Sequence, residues 1–263
     1  MSDHYAELLM YVAPAAVQQA NQAWLTRIFQ RLNLNRRNAD HLDLHGLWLA
    51  PELLVTQTCG YPLITQLRGK VRVIGRPRYE LAHSSQGEHC SLLLTRDDNP
   101  RTRLADFYNS RGVINGHDSN SGMNLLRERL APLQHDGRFF ANVGISGAHR
   151  ESLRWLREGR ADLAAIDSVT YDYLARFAAE EVAGLRIVTH SAPSPTLPYV
   201  GPLHLSDQQA AHIREVMNQA LQDLPHVVET LGIRAVLPAS EDDYQVLLGY
   251  QQTAVDAGYP NIQ

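Results

Sequence analysis

The sequence predicts an α/β protein of two lobes, with mostly parallel sheets flanked by helices and two crossings between the lobes. Three observations predict it. Short apolar runs alternate with stretches of helical period along most of the 263 residues, which is the pattern of βαβ units. The runs fall into two blocks, 1 to about 83 and about 90 to 190, with polar, turn-rich chain between them. A stretch with four prolines, SAPSPTLPYVGP at 191–202, then leads into a helical tail. If that tail packs back onto the first block, the chain crosses near 84–95 and 190–200. Lobe 1 is then residues 1–86 plus 197–263, and lobe 2 is 87–196.

Each element has a local reason. ELLMYVA (7–13) reads as a strand, and 15–32 as a helix with Val17, Trp24, Ile28 and Leu32 near helical spacing. ELLVTQ (52–57) reads as a strand. YPLITQLRG (61–69) reads as a short helix, because Pro62 suits a first turn and Gly69 an end. VRVIGRPRY (71–79), CSLLLTRD (90–97) and RGVIN (111–115) are strands. The next helix carries Met123, Leu126, Leu130 and Leu133 as one apolar stripe. FFANVGI (139–145) is a strand before a helix at 149–158 that Gly159 ends. DLAAID (162–167) is a strand before a helix at 169–179, and LRIVTH (185–190) is the last strand. The tail reads as helices at about 206–223, 226–232 and 241–257.

Composition narrows the function. The chain is 44% apolar and 20% charged, as globular proteins are, and its net charge of -4 speaks against a nucleic-acid partner. No run of about 18 apolar residues suggests membrane insertion. The N-terminal stretch MSDHYAELLMYVAPAAVQQ does not read as a secretory signal, which leaves a cytoplasmic location open. Cys59 and Cys90 read as reduced thiols rather than as part of a metal pattern. Lys70 is the only lysine and Val71 follows it, so there is no phosphate loop of the nucleotide-binding kind. Nothing calls for a cofactor or a metal.

In open α/β sheets ligands bind where strands end and helices begin. Those turns are MYVAP (10–14), QTCGYP (57–62), NGHDSNSG (115–122), SGAH (146–149) and DSVTY (167–171). They are rich in hydroxyls, amides, tyrosine and histidine, and they hold no Lys or Arg. Ser119, Asn120 and Ser121 can cap a helix, or aim donors at an oxyanion held by the helix amides. Gly122 would let an anion approach the backbone. His149 sits in the first turn of the next helix as a donor or a cap residue. Asp167, at a strand's carboxyl end, can contact a ligand or cap the following helix.

The combination LLVTQTCGYPL, ING-x-DSNSGMN, SGAHRESL, GRADLAAIDSVTY and PTLPYVGP resembles the substrate-binding proteins of phosphate/phosphonate-type ABC transporters. The resemblance covers nearly the whole chain. It implies a type II periplasmic-binding-protein-like fold, no enzymatic activity, a monomer, and a small tetrahedral oxyanion such as phosphonate, phosphate or phosphite in an interlobe cleft. It implies that Ser119, Asn120, Ser121 and Gly122 hold the oxyanion and that His149 adds a donor. Tyr11 and Tyr61 would close the pocket from the first lobe, with Asp167, or less readily Asp162, near the phosphorus substituent. An ABC permease would be the partner and the periplasm the compartment. Ala148 stands where the family has a serine, and Asn120 where a hydroxyl residue is common.

Rival readings remain. GISGA (144–148) approaches a nucleophile elbow, which would make Ser146 a hydrolase nucleophile. HLDLH (41–45) would place His41, Asp43 and His45 on one face of a strand as metal ligands. A cytoplasmic ligand sensor of the same fold is a third.

Overall fold

The computed structural model describes residues 3–263. The chain forms two compact units. Unit 1 runs up to Glu88 and resumes as Pro195–Tyr244, and unit 2 is His89–Ser194 with Gln245–Gln263.

The centre of unit 1 is the Leu53–Gln57 strand, buried along its whole length. It lies parallel to Asp3–Glu7 on one side and antiparallel to Tyr199–Pro202 on the other. Tyr199–Pro202 in turn pairs antiparallel with the long Val71–Leu81 strand. A strand that the sequence left unassigned, Ile233–Leu237, adds antiparallel to the far half of Val71–Leu81. The helices Ala15–Leu32, Asp207–Gln222 and Pro225–Leu231 pack together beside this sheet. Trp24 fastens them: its indole Nε1 donates to the Met217 carbonyl at 3.1 Å and its ring meets Tyr199 edge-on.

Unit 2 holds a five-stranded sheet in the order Leu185–His190, Ser91–Arg96, Leu163–Asp167, Arg111–Ile114, Asn142–Ile145. The core is aliphatic: Leu92, Leu94, Val113, Leu153, Leu156, Ile166 and Leu174 are buried in one cluster. Full burial of each such side chain stabilises by about 1.5–3 kcal/mol.

Three expectations are corrected. The sheets are mixed rather than mostly parallel, because Ser91–Arg96 lies antiparallel to both its neighbours. Period alone does not give strand direction. The first strand is Asp3–Glu7, not 7–13. Beyond Glu7 the chain leaves the sheet, exposing Leu9 and Val12, and the Tyr11 carbonyl is held by Asn21 Nδ2 at 3.0 Å.

The third correction concerns the tail. Residues 245–263 belong to unit 2, not to the first lobe. The Val246–Asp256 helix packs on the helical segment that begins at Asn120. Buried polar groups hold it there: Asn124 Nδ2 donates to the Leu247 carbonyl at 3.0 Å, and Arg127 to the Pro260 carbonyl at 2.7 Å. The apolar stripe of Met123, Leu126 and Leu130 needed a cover, and Leu247 and Ala254, both fully buried, lie on the helix that supplies it.

Candidate functional site

The candidate side chains of unit 2 sit where strands run into helices. After Arg111–Ile114 the chain turns through Asn115 and enters a five-residue π turn, Asn120–Asn124, that continues as the α-helix Leu125–Leu130. Such widened turns recur at functional positions.

The turn divides its polar side chains among three tasks. Ser119 caps, its hydroxyl accepting from the Gly122 amide at 3.0 Å. Asn120 points inward: its Nδ2 donates to Ser194 Oγ at 2.9 Å and its Oδ1 accepts from Asn124 at 3.2 Å. Ser121 faces histidine, with Oγ 2.9 Å from His149 Nε2. The Ser121 carbonyl accepts from Ser91 Oγ at 2.7 Å, which fixes the turn on the sheet. A Cβ on Gly122 would drive into the Asn115 side chain and stand 3.2 Å from His149 Cε1. Glycine there is what lets the turn lie against the imidazole.

His149 opens the helix His149–Arg157. Burial pulls its imidazole below the ordinary histidine value. Asp167 opposes that, His89 adds to it, and the Ala165 backbone opposes it. Asp167 ends the Leu163–Asp167 strand and caps the next helix, accepting from the Thr170 amide at 3.0 Å. Its other oxygen lies 2.9 Å from His89 Nδ1. Burial alone would raise the Asp167 carboxyl, but the attraction of His89 and His149 and the Thr170 amide outweigh it and hold it below its usual range. Asp162, at the opposite end of that strand, is taken up by Arg111, whose guanidinium and backbone amide both bond it.

Ser119, Asn120, Ser121, Gly122, His149 and Asp167 thus all belong to unit 2, and Tyr11 and Tyr61 belong to unit 1. Tyr11 is buried edge-on to Tyr79, with ring centroids 6.4 Å apart. Tyr61 is buried on the short helix Gly60–Thr65. The sequence reading missed His89, Ser91 and Asn115. Ser91 and Asn115 lie at strand ends within stretches already singled out. His89 carries no local signal, since its partner Asp167 is 78 positions away only through folding.

The rivals fare differently from the turn. Ser146 Oγ bonds the Ile114 and Ala148 carbonyls and the Ser152 hydroxyl. None of these is a base, as an elbow nucleophile needs. HLDLH is not a strand: Asp43 caps the helix Leu44–Trp48 through the Gly46 amide. Among the described residues no group of three or more His, Cys, Asp or Glu side chains is arranged to hold a metal. Cys59 and Cys90 form no disulfide.

The arrangement offers neutral donors, a helix start and a lowered imidazole, with no Lys or Arg at the turn. Residues 52–244 match the profile of a family described as ABC transporter, phosphonate, periplasmic substrate-binding protein. The chain belongs to that family of phosphonate substrate-binding proteins. Its members are binding proteins of the periplasm, and among the described residues no helix is long and apolar enough to cross a membrane. Solved structures share the fold. A binding-protein component of an ABC phosphonate transporter from Pseudomonas aeruginosa is 16% identical over 97% of this chain and 88% of its own, with a TM-score of 0.77. PhnD1 from Prochlorococcus marinus, solved with methylphosphonate, is 11% identical over 95% and 97%, with a TM-score of 0.74. A Xanthomonas citri protein bound to ATP is 14% identical over 98% of each chain, at 0.67. No curated protein matches by sequence.

Proposed function

We propose that this family member captures a small tetrahedral oxyanion, of the phosphonate, phosphate or phosphite kind, for delivery to an ABC permease. Ser121 and His149 are its principal donors, with Ser119, Asn120 and Gly122 shaping the turn that presents them. Asp167 stands behind His149 and beside the phosphorus substituent. The observation that carries the reading is the 2.9 Å pair of Ser121 Oγ and His149 Nε2 at the start of a helix. One of the two groups donates to the other, which aligns the pair and leaves at most one directed donor free for a ligand, and the helix start adds a positive end. The P. aeruginosa and P. marinus proteins supply the analogy for phosphonate as ligand and for a transporter partner.

Neutral donors suit a protein that must release what it binds, because a buried arginine left alone after release would be costly. Calorimetry with methylphosphonate, phosphate, phosphite and sulfate tests the reading. Ser121→Ala and His149→Ala should each weaken the preferred oxyanion by about 1–3 kcal/mol, the worth of a hydrogen bond to a charged group. Unchanged affinity in both variants, or a wild-type protein that takes none of the four anions, would refute it. Tyr11→Ala and Tyr61→Ala in the same assay report whether unit 1 contributes to affinity.

A further inference from the structure

Behind Ser121 and His149 lies a buried histidine–carboxylate contact, and oxyanion capture assigns its histidine no task. His89 Nδ1 stands 2.9 Å from Asp167 Oδ2, with the two side chains 1% and 3% exposed. That contact is at hydrogen-bond distance, and it is among the interactions that hold the Asp167 carboxyl below its usual range. His149 faces Ser121 through its Nε2 and meets the Ala165 backbone. Two imidazoles therefore flank one carboxylate inside unit 2, and only one of them reaches the serine.

A carboxylate close to an anion site needs a reason. Unscreened, it would repel the ligand and charge the imidazole nearest to it. A hydrogen-bonding partner on its other side relieves both effects by drawing on the carboxylate's charge. The remaining titratable groups nearby do not replace that partner. Cys90 faces Asp167 and Asp172, and burial pushes its thiol up, so it brings no negative charge of its own. His190 Nδ1 lies 3.8 Å from the Cys90 sulfur.

We infer that His89 is a positioning residue acting through Asp167: by pairing with that carboxylate it keeps His149 neutral in the empty protein, so that His149 takes up a proton when an oxyanion seats at Ser121. Anion capture is then tied to proton uptake at one identified imidazole. The inference rests on the oxyanion reading and adds to it how the site manages charge without Lys or Arg. The signs agree with the free protein, in which burial and His89 both lower His149 while Asp167 raises it. An anion arriving at Ser121 adds attraction for the imidazolium and reverses the balance.

The test is residue-resolved NMR titration of the imidazole nitrogens in the full chain, with and without saturating methylphosphonate. Residue resolution matters because the phosphonate carries a titratable proton of its own. In the wild type, His149 should titrate below the ordinary value of about 6.5 when free and rise by about one pH unit or more when methylphosphonate is bound. In His89→Gln the free protein's His149 should already titrate about one unit higher, and methylphosphonate affinity near neutral pH should fall several-fold. Tight methylphosphonate binding with an unmoved His149 titration would overturn the inference and leave the oxyanion reading standing. A folded His89→Gln protein whose His149 titrates as in the wild type would overturn the role of His89. Absence of any oxyanion binding by the wild type would remove both. If His89→Gln does not fold, the wild-type titration still decides whether a proton is taken up.

Discussion

Replacing Asn124 by alanine should loosen the C-terminal segment from unit 2. Asn124 is fully buried and makes three bonds. Its Nδ2 donates to Asn120 Oδ1 at 3.2 Å and to the Leu247 carbonyl at 3.0 Å, and its Oδ1 accepts from Arg127 at 2.7 Å. The substitution leaves a buried carbonyl and a buried guanidinium each short of a partner, at about 1–3 kcal/mol apiece. The Asn120 contact adds roughly 1 kcal/mol. Because these bonds share one network they do not simply sum, and a loss of about 3–5 kcal/mol is expected. That is a fifth or more of an ordinary stability of about 5–15 kcal/mol. Urea unfolding measures the total. Hydrogen exchange locates it, since amides of Val246–Asp256 should lose protection before those of the Leu163–Asp167 strand. A loss below about 1 kcal/mol, or unchanged protection of that helix, would refute the account of how the segment is held.

Three further outcomes follow from the same coordinates. Gly122→Ala should cost about 1–3 kcal/mol of stability by overpacking and should also weaken oxyanion binding, because the new methyl meets Asn115 and the His149 ring; a stable variant with wild-type affinity would contradict the close approach. Leu153→Ala, in the unit 2 core, should cost about 2–5 kcal/mol in denaturant unfolding with little change in the affinity of protein that remains folded. Arg31 and then Arg27 hydrogen-bond Asp223 and hold its carboxyl down to about 2. A depressed carboxylate contributes its stability above the unfolded value of about 3.9 and loses it as pH falls through the folded one. The melting-temperature gap between wild type and Asp223→Asn should therefore be constant above about pH 5 and close towards pH 2. The gap should be small because the pair is exposed, and a gap that widens in acid would be the wrong sign.

Much of the fold could be read from the residues in order. Helical spacing located Ala15–Leu32, His149–Arg157 and Asp207–Gln222, and unbroken apolar runs located Leu53–Gln57 and Leu163–Asp167. These elements bury a face or a whole run, so their period survives in the sequence. The misses share a cause. ELLMYVA is apolar enough for a strand, yet its second half leaves the sheet because the pairing of Asp3–Glu7 with Leu53–Gln57 sets where the strand ends. The strand Ile233–Leu237 is short, and its partner lies more than 150 positions away in Val71–Leu81.

The candidate site divides the same way. The polar composition of the turns at 115–122, 146–149 and 167–171, with Asp167 at a strand end, follows from local chemistry and was legible residue by residue. What each side chain does there was not: Ser119 spends its hydroxyl on a cap, Asn120 turns inward, and Ser121 meets His149. His89 enters only because the sheet brings its crossing beside the end of a distant strand. The sequence by itself determined the class of fold, the order of most of its elements and strand-to-helix turns free of lysine and arginine, since these depend on residue type and near-neighbour spacing. The tertiary structure alone decided strand direction, the unit that takes the C-terminal helix, and which imidazole faces serine and which faces carboxylate. Those depend on contacts between residues far apart in the chain, and burial gives such contacts their energy without leaving a mark on local spacing.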